Sequence, residues 1–315
     1  MAGKIATRNA YGEALVELAE KYPELVVLDA DLAGATMSKF FAAAYPERFF
    51  NCGIAECNMT GIAAGMAAAG LKPFTNTFAM FAAGRAYEQI RNSIAYPGLN
   101  VKIVGSHGGV SVGEDGATHQ CIEDFALMRA IPGIMVCCPC DGHEMRLAVE
   151  ALLNYEGPAY LRLQRPATDI FTDEIEGYSF ELGKGTVLCE GTDISIVATG
   201  IMVGMAVKAA EMLKAEGISA RVINIHTLKP LDEELIVKAA EETGCMLTCE
   251  EHNIIGGLGS AVCEALSLRC PVPVLRMGVE DVFGRSGSAN DVLAYFGLTA
   301  EGIAAKAKEA LKLKK

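Results

Sequence analysis

The chain has 315 residues, 51% of them hydrophobic and 21% charged, with a net charge of −12. It can bury a large core and is long enough for two domains, while its acidic balance argues against a nucleic-acid or anionic-membrane surface. No apolar run approaches the ~20 residues of a membrane helix, and eleven cysteines without paired CxxC spacing read as reduced thiols of a cytoplasmic protein, the cluster Cys137, Cys138 and Cys140 included.

In chain order, Arg8 to Lys21 has the apolar spacing of a helix and LVVLDA (25–30) reads as a buried strand. CNMTGIAAGMAAAG (57–70) is a small-residue helix suited to close packing, KPFTNTF (72–78) a strand, RAYEQIRNSIA (85–95) a helix, VKIVGS (101–106) a strand and IMVCCP (134–139) another. His143 to Leu153 is a helix whose N-cap is Asp141, and YLRLQR (160–165) reads as the last strand of this half. From Arg165 to about Ser179 the chain is rich in Pro, Thr, Asp and Gly with little periodicity, as an interdomain linker is, which puts the boundary near residue 175. Alternation then restarts with DISIVAT, VGMAVKAAEMLKAEG, ARVINI, DEELIVKAAEET, MLTCEE, SAVCEAL and VPVLRM. This rhythm predicts an α/β fold of two doubly wound domains, residues 1–175 and 176–315, with mainly parallel sheets covered on both faces. Gly256-Gly257-Leu258-Gly259 is not a complete GxGxxG and reads as a plain turn.

The segment Ser106 to Gln120, SHGGVSVGEDGATHQ, carries His107, Glu114, Asp115 and His119 among four glycines. No core element carries that composition. Glycines let a ligand approach the backbone, and the histidines and carboxylates supply proton-transfer and hydrogen-bonding groups. The segment therefore reads as the wall of an active site at a strand end, where α/β proteins bind ligands. Glu56 stands alone in NCGIAECNM; a first-turn helix carboxylate is the plain structural reading. Phe78 and Phe81 follow the next strand, with core packing as the ordinary alternative. A carboxylate, an aromatic pair and a histidine loop at successive strand ends point to one crevice.

GIAE, TFAMF and HGGVSVGEDGATHQ together resemble the pyrimidine-binding region of transketolase, a thiamine-diphosphate enzyme, and TLKPLD with EEHNIIGGLGSAV resembles its C-terminal domain. The resemblance covers nearly the whole chain, and GEDGATHQ is its most specific part. It implies that Glu56 hydrogen-bonds N1′ of the aminopyrimidine and drives cofactor activation, an apolar setting raising its pKa. It implies that Phe78 and Phe81 pack on the pyrimidine, that Asp31 belongs to the cofactor side, and that His107 and His119 act on substrate and near the aminopyrimidine, their near-neutral pKa suiting proton transfer. Asp115 would contact a sugar hydroxyl. Arg8 in KIATRNA and Arg165 in YLRLQR resemble the pair that holds the substrate phosphate. Thr36 stands where the family has a phosphate-contacting serine, and Gly84 falls near the place of a third aromatic.

A full transketolase begins with another α/β domain, whose GDG motif helps hold Mg²⁺ and diphosphate, and no GDG occurs in this sequence. The resemblance thus implies a C-terminal subunit of a split transketolase. Its partner would be an N-terminal subunit carrying GDG, in a heterotetramer built on a homodimer core. The implied reaction moves a two-carbon ketol unit from a ketose phosphate to an aldose phosphate, in carbohydrate metabolism of the pentose phosphate type. Alternatives are a deoxyxylulose-phosphate-synthase-like protein, a ketoacid dehydrogenase beta-like subunit, or a catalytically idle scaffold.

Overall fold

Short runs of Val, Ile and Leu become buried strands, and the amphipathic runs between them become the covering helices. The computed structural model describes residues 3–314. Its strands are β1 (Lys4–Ala6), β2 (Leu25–Asp29), β3 (Phe49–Asn51), β4 (Lys72–Phe78), β5 (Lys102–Ser106), β6 (Met135–Cys137) and β7 (Ala159–Arg162), followed by β8 (Ala167–Asp169), β9 (Thr186–Cys189), β10 (Ile194–Ala198), β11 (Ala220–Asn224), β12 (Thr227–Lys229), β13 (Met246–Asn253) and β14 (Val274–Val279). Among the described residues they form a seven-stranded sheet, β12-β6-β7-β5-β4-β2-β3, a five-stranded sheet, β14-β13-β10-β11-β9, and the pair β1-β8. Every residue of β2, β5 and β10 is buried, as expected where helices cover both faces of a parallel sheet. The fold is α/β and doubly wound.

Two features differ from the sequence reading. YLRLQR does not close the first sheet: β12, from the TLKPLD segment, crosses over and pairs antiparallel with β6, Thr227 opposite Cys137. Three residues between a buried histidine and a proline carry too short a pattern to announce an edge strand. The stretch from Arg165 to Ser179, read as a linker with little periodicity, also carries the strand β8 and the turn Thr172–Glu174. β8 pairs with β1, and Asp141 Oδ2 accepts from the backbone N–H of Phe171 at 3.0 Å and of Thr172 at 2.9 Å. The same carboxylate caps the helix Gly142–Asn154, accepting from Glu144 N–H at 2.9 Å, in agreement with the N-cap assignment. One apolar cluster runs from Val26, Met59, Ile90 and Val136 through to Val197, Ile223, Leu228 and Met246, so the two sheets share part of their core. Helices Ala289–Tyr295 and Ala300–Leu311, which the sequence reading left unassigned, start at Ser288 and Thr299, whose hydroxyls cap them.

Candidate active site

β2, β3, β4, β5 and β7 run parallel, so their C-terminal ends share one edge of the sheet and lead into Asp31, Glu56, Phe78 and Phe81, His107 and Arg165. After β3, Gly53 at φ +70° turns the chain into the helix Glu56–Ala68. Glu56 is the first residue of that helix and only 2% exposed. Its two carboxylate oxygens accept from Arg85 Nη1 at 3.0 and 2.9 Å. The setting is therefore not the purely apolar one expected: a half-exposed guanidinium covers the carboxylate and lies 4.6 Å from the centre of the Phe81 ring. Arg85 was missed from sequence. The signal was its place four residues after Phe81, on the wide π-helical turn Met80–Arg85, a spacing that brings side chains together on one helical face.

Phe78 and Phe81 stack with centroids 6.0 Å apart at 21°. His107 lies 4.3 Å from Phe78, and His119 meets the edges of Phe78 at 6.1 Å and Phe81 at 5.5 Å. The aromatic pair and both histidines thus meet in one cluster, beside the carboxylate that Arg85 ties to Phe81. His107 has φ +59°, its ring is buried, and Nδ1 is 2.8 Å from Ser106 Oγ. Burial, reinforced by the cations Arg8 and Arg165, lowers its pKa to about 3, so the imidazolium forms only in strong acid. That departs from the near-neutral pKa expected: His107 is a neutral hydrogen-bonding group at working pH.

Arg8, at the start of the helix Thr7–Leu18, donates from Nη1 to Ala35 O at 2.8 Å; burial and the like charge of Arg165 lower its pKa from the ordinary arginine value. Arg165 pairs with Glu114 at 2.5 Å and also donates to Val112 O. Asp115 is exposed on the turn Gly113–Asp115. Asp31, also exposed at φ +64°, accepts from Asn51 Nδ2 at 3.0 Å. Thr36 is corrected: it is fully buried, and its hydroxyl donates to Asp29 Oδ2 at 2.8 Å, so it is not free to meet a phosphate. The Gly256–Gly259 turn is likewise occupied, since Leu258 N–H and Gly259 N–H donate to Glu250 at 2.7 and 2.8 Å. The thiols of Cys137, Cys138 and Cys140 are buried against different partners, Thr227, Gln164 and Asn224.

Chemically, the cluster offers a buried carboxylate beside stacked aromatic faces, which fits a planar nitrogen heterocycle, and next to it imidazoles and guanidinium groups that fit a polyhydroxylated anion. Such a site at the strand ends of a doubly wound sheet defines an α/β enzyme component. Residues 3–169 match the transketolase pyrimidine-binding domain and residues 183–303 the transketolase C-terminal domain, and the chain belongs to the transketolase family. It is 46% identical over 308 residues to a 6-deoxy-6-sulfo-D-fructose transketolase subunit of a Clostridium species, covering 98% of this chain and 95% of that one. It is 41% identical over 309 residues to an apulose-4-phosphate transketolase subunit of Phocaeicola vulgatus, covering 98% of each. Among solved structures, a split-gene transketolase in an inactive β4 tetramer superposes with a TM-score of 0.90 at 52% identity, over 99% of this chain and all of that one.

Proposed function

We propose that this chain is the C-terminal subunit of a thiamine-diphosphate-dependent transketolase that moves a two-carbon ketol unit from a ketose phosphate to an aldose phosphate. An N-terminal subunit would carry the GDG motif and hold most of the diphosphate and Mg²⁺, in a heterotetramer. The observation that carries the reading is the buried carboxylate of Glu56 against the Phe78–Phe81 shelf, joined by His107 and His119. End-to-end similarity to chains that are themselves transketolase subunits supports the separate-subunit part. The inactive β4 form of a similar split-gene protein is consistent with a chain that needs its partner.

The residues fit the aminopyrimidine end of thiamine diphosphate, which when bound supplies the electron sink for carbon–carbon cleavage. Glu56 would hold a proton at a ring nitrogen, and Phe78 and Phe81 would fix the plane of the ring, with Asp31 on the same side. To reach that nitrogen Glu56 must share or give up Arg85, so Arg85 stands as the counter-ion of the carboxylate before binding. His107, neutral and anchored on Ser106, would donate or accept a hydrogen bond at a sugar oxygen, with His119 exchanging protons beside it and Asp115 meeting a hydroxyl. Arg8 and Arg165 would share the substrate phosphate; their mutual repulsion is relieved when an anion sits between them. We place the domain boundary near residue 175 and the protein in the cytoplasm, in keeping with its free thiols.

The test mixes the chain with an N-terminal subunit, thiamine diphosphate, Mg²⁺, xylulose 5-phosphate and ribose 5-phosphate, and follows glyceraldehyde 3-phosphate. Turnover in the mixture and in neither subunit alone is the expected result. An assembled complex that turns over neither these sugars nor the sulfo- and apulose-type sugars of its relatives would overturn the reading. The relatives' differing sugars make a panel of ketose donors the natural second assay.

A further inference from the structure

The loop from His107 to Gln120 is gripped from the second domain at two places. Near its start, Ser111 N–H donates to Glu251 Oε1, and Glu251, on β13, is buried. Gly109 at φ +82° makes this approach possible, for a Cβ there would lie 2.3 Å from Glu251 Cδ. The backbone of Glu251 is itself fixed, its carbonyl accepting from Arg162 Nη2 at 2.8 Å. At the far end, the Gln120 side chain is buried and faces three carbonyls, Val110 O at 3.0 Å, Gly113 O at 3.4 Å and Arg285 O at 2.8 Å. Three acceptors force its NH₂ group inward, so one amide ties two turns of the loop to the segment before the helix Ala289–Tyr295. That segment is shaped to the loop: a Cβ on Gly284 would lie 1.6 Å from Gln120 Oε1, and one on Gly116 would lie 2.3 Å from Ser286 Oγ.

We propose that Gln120 and Glu251 are positioning residues that clamp the 107–120 loop to the C-terminal domain, so that the second domain sets where Asp115 and His119 meet the substrate. Neither residue hydrogen-bonds the Glu56 carboxylate, and the clamp reaches the Phe78–Phe81 pair only through the ring contacts of His107 and His119, so its larger effect falls on the sugar side of the site. The kinetic half of this inference rests on the transketolase reading; the structural half does not.

Backbone hydrogen exchange in the full chain reads the clamp without turnover. In Gln120→Leu and Glu251→Ala the amides of residues 108–120 are expected to exchange about tenfold faster, those of β10 remaining as in the wild type. Glu251→Gln keeps an acceptor for Ser111 N–H and is expected to stay within about twofold of wild type. If Gln120→Leu does not fold, Gly284→Ala crowds the same amide from the other side and gives the same reading. In the two-subunit complex, Gln120→Leu is expected to raise KM for the ketose phosphate about tenfold while the half-saturating thiamine diphosphate concentration stays within about twofold. Wild-type exchange of the loop in Gln120→Leu and Glu251→Ala overturns the clamp, as does equal weakening of sugar and cofactor binding. A wild-type complex without turnover counts against the transketolase reading alone, and the exchange experiment then decides the clamp by itself.

Discussion

His107 combines a left-handed backbone with a buried ring, and both follow from its place where β5 gives way to a glycine-rich turn. Because its folded pKa is about 3 and its unfolded pKa about 6.5, the unfolded chain binds a proton that the folded chain refuses. The stabilisation is complete above pH 6.5 and is lost as pH falls toward 3, at up to about 1.4 kcal/mol per pH unit. His107→Asn, chosen because asparagine tolerates positive φ, is expected to flatten the stability curve in that window. Urea unfolding at pH 7, 5.5 and 4 checks this, and parallel curves for the two proteins would count against it. Glu56→Gln is expected to leave the fold intact, since Arg85 is half-exposed and can turn to water, and to remove most turnover of the complex. Arg85→Ala is expected to destabilise the chain by about 1–3 kcal/mol by stranding a buried carboxylate. Glu56, His107 and His119 stand out in the sequence only in combination, a carboxylate, an aromatic pair and a histidine loop at successive strand ends, and the structure brings His107 and His119 onto that aromatic pair. Arg85 does not stand out, because an arginine on a helix is ordinarily a solvated charge and nothing local says which carboxylate it will cover.

The strand β7 illustrates what a local pattern conceals. Of YLRLQR only Tyr160 to Arg162 lie in the strand, and Arg162 is almost fully buried, with Nε 3.3 Å from Asp124 Oδ2 and its guanidinium 4.3 Å from the centre of the Phe125 ring. Tyr160 donates to the same Asp124 carboxylate at 2.8 Å, so strand and helix Asp124–Ala130 are locked by one charged group. Removing one partner of such a pair leaves an uncompensated charge in the core, and Arg162→Met is expected to cost about 3–5 kcal/mol. Denaturant titration measures it; a loss under about 1 kcal/mol would show that the interior accommodates Asp124 alone. A charged residue amid apolar neighbours carries no mark of whether it faces water or a counter-ion. The hydrophobic run gave the strand, and only the packing of the helix over it gave the ion pair.

The two sheets are not independent bodies. β12 leaves the second half of the chain to extend the first sheet, and the apolar cluster from Val26 to Met246 runs through both. Unfolding of the full chain is therefore expected to be one cooperative transition by calorimetry, and residues 1–175 expressed alone are expected to lack it. Two well-separated transitions would show that the shared core contributes little. By itself the sequence determined the α/β class, the order of the central strands of both sheets with most of their covering helices, and the group of residues at the strand ends, because these depend on hydrophobic period and on local rules for turns and caps. Tertiary structure alone decided that Arg85 covers Glu56, that β12 joins the first sheet, that β8 pairs with β1, and that Gln120 and Glu251 hold the histidine loop. Each of these is a contact between residues far apart along the chain. Its energy depends on distance and desolvation in the folded state, which no local pattern encodes.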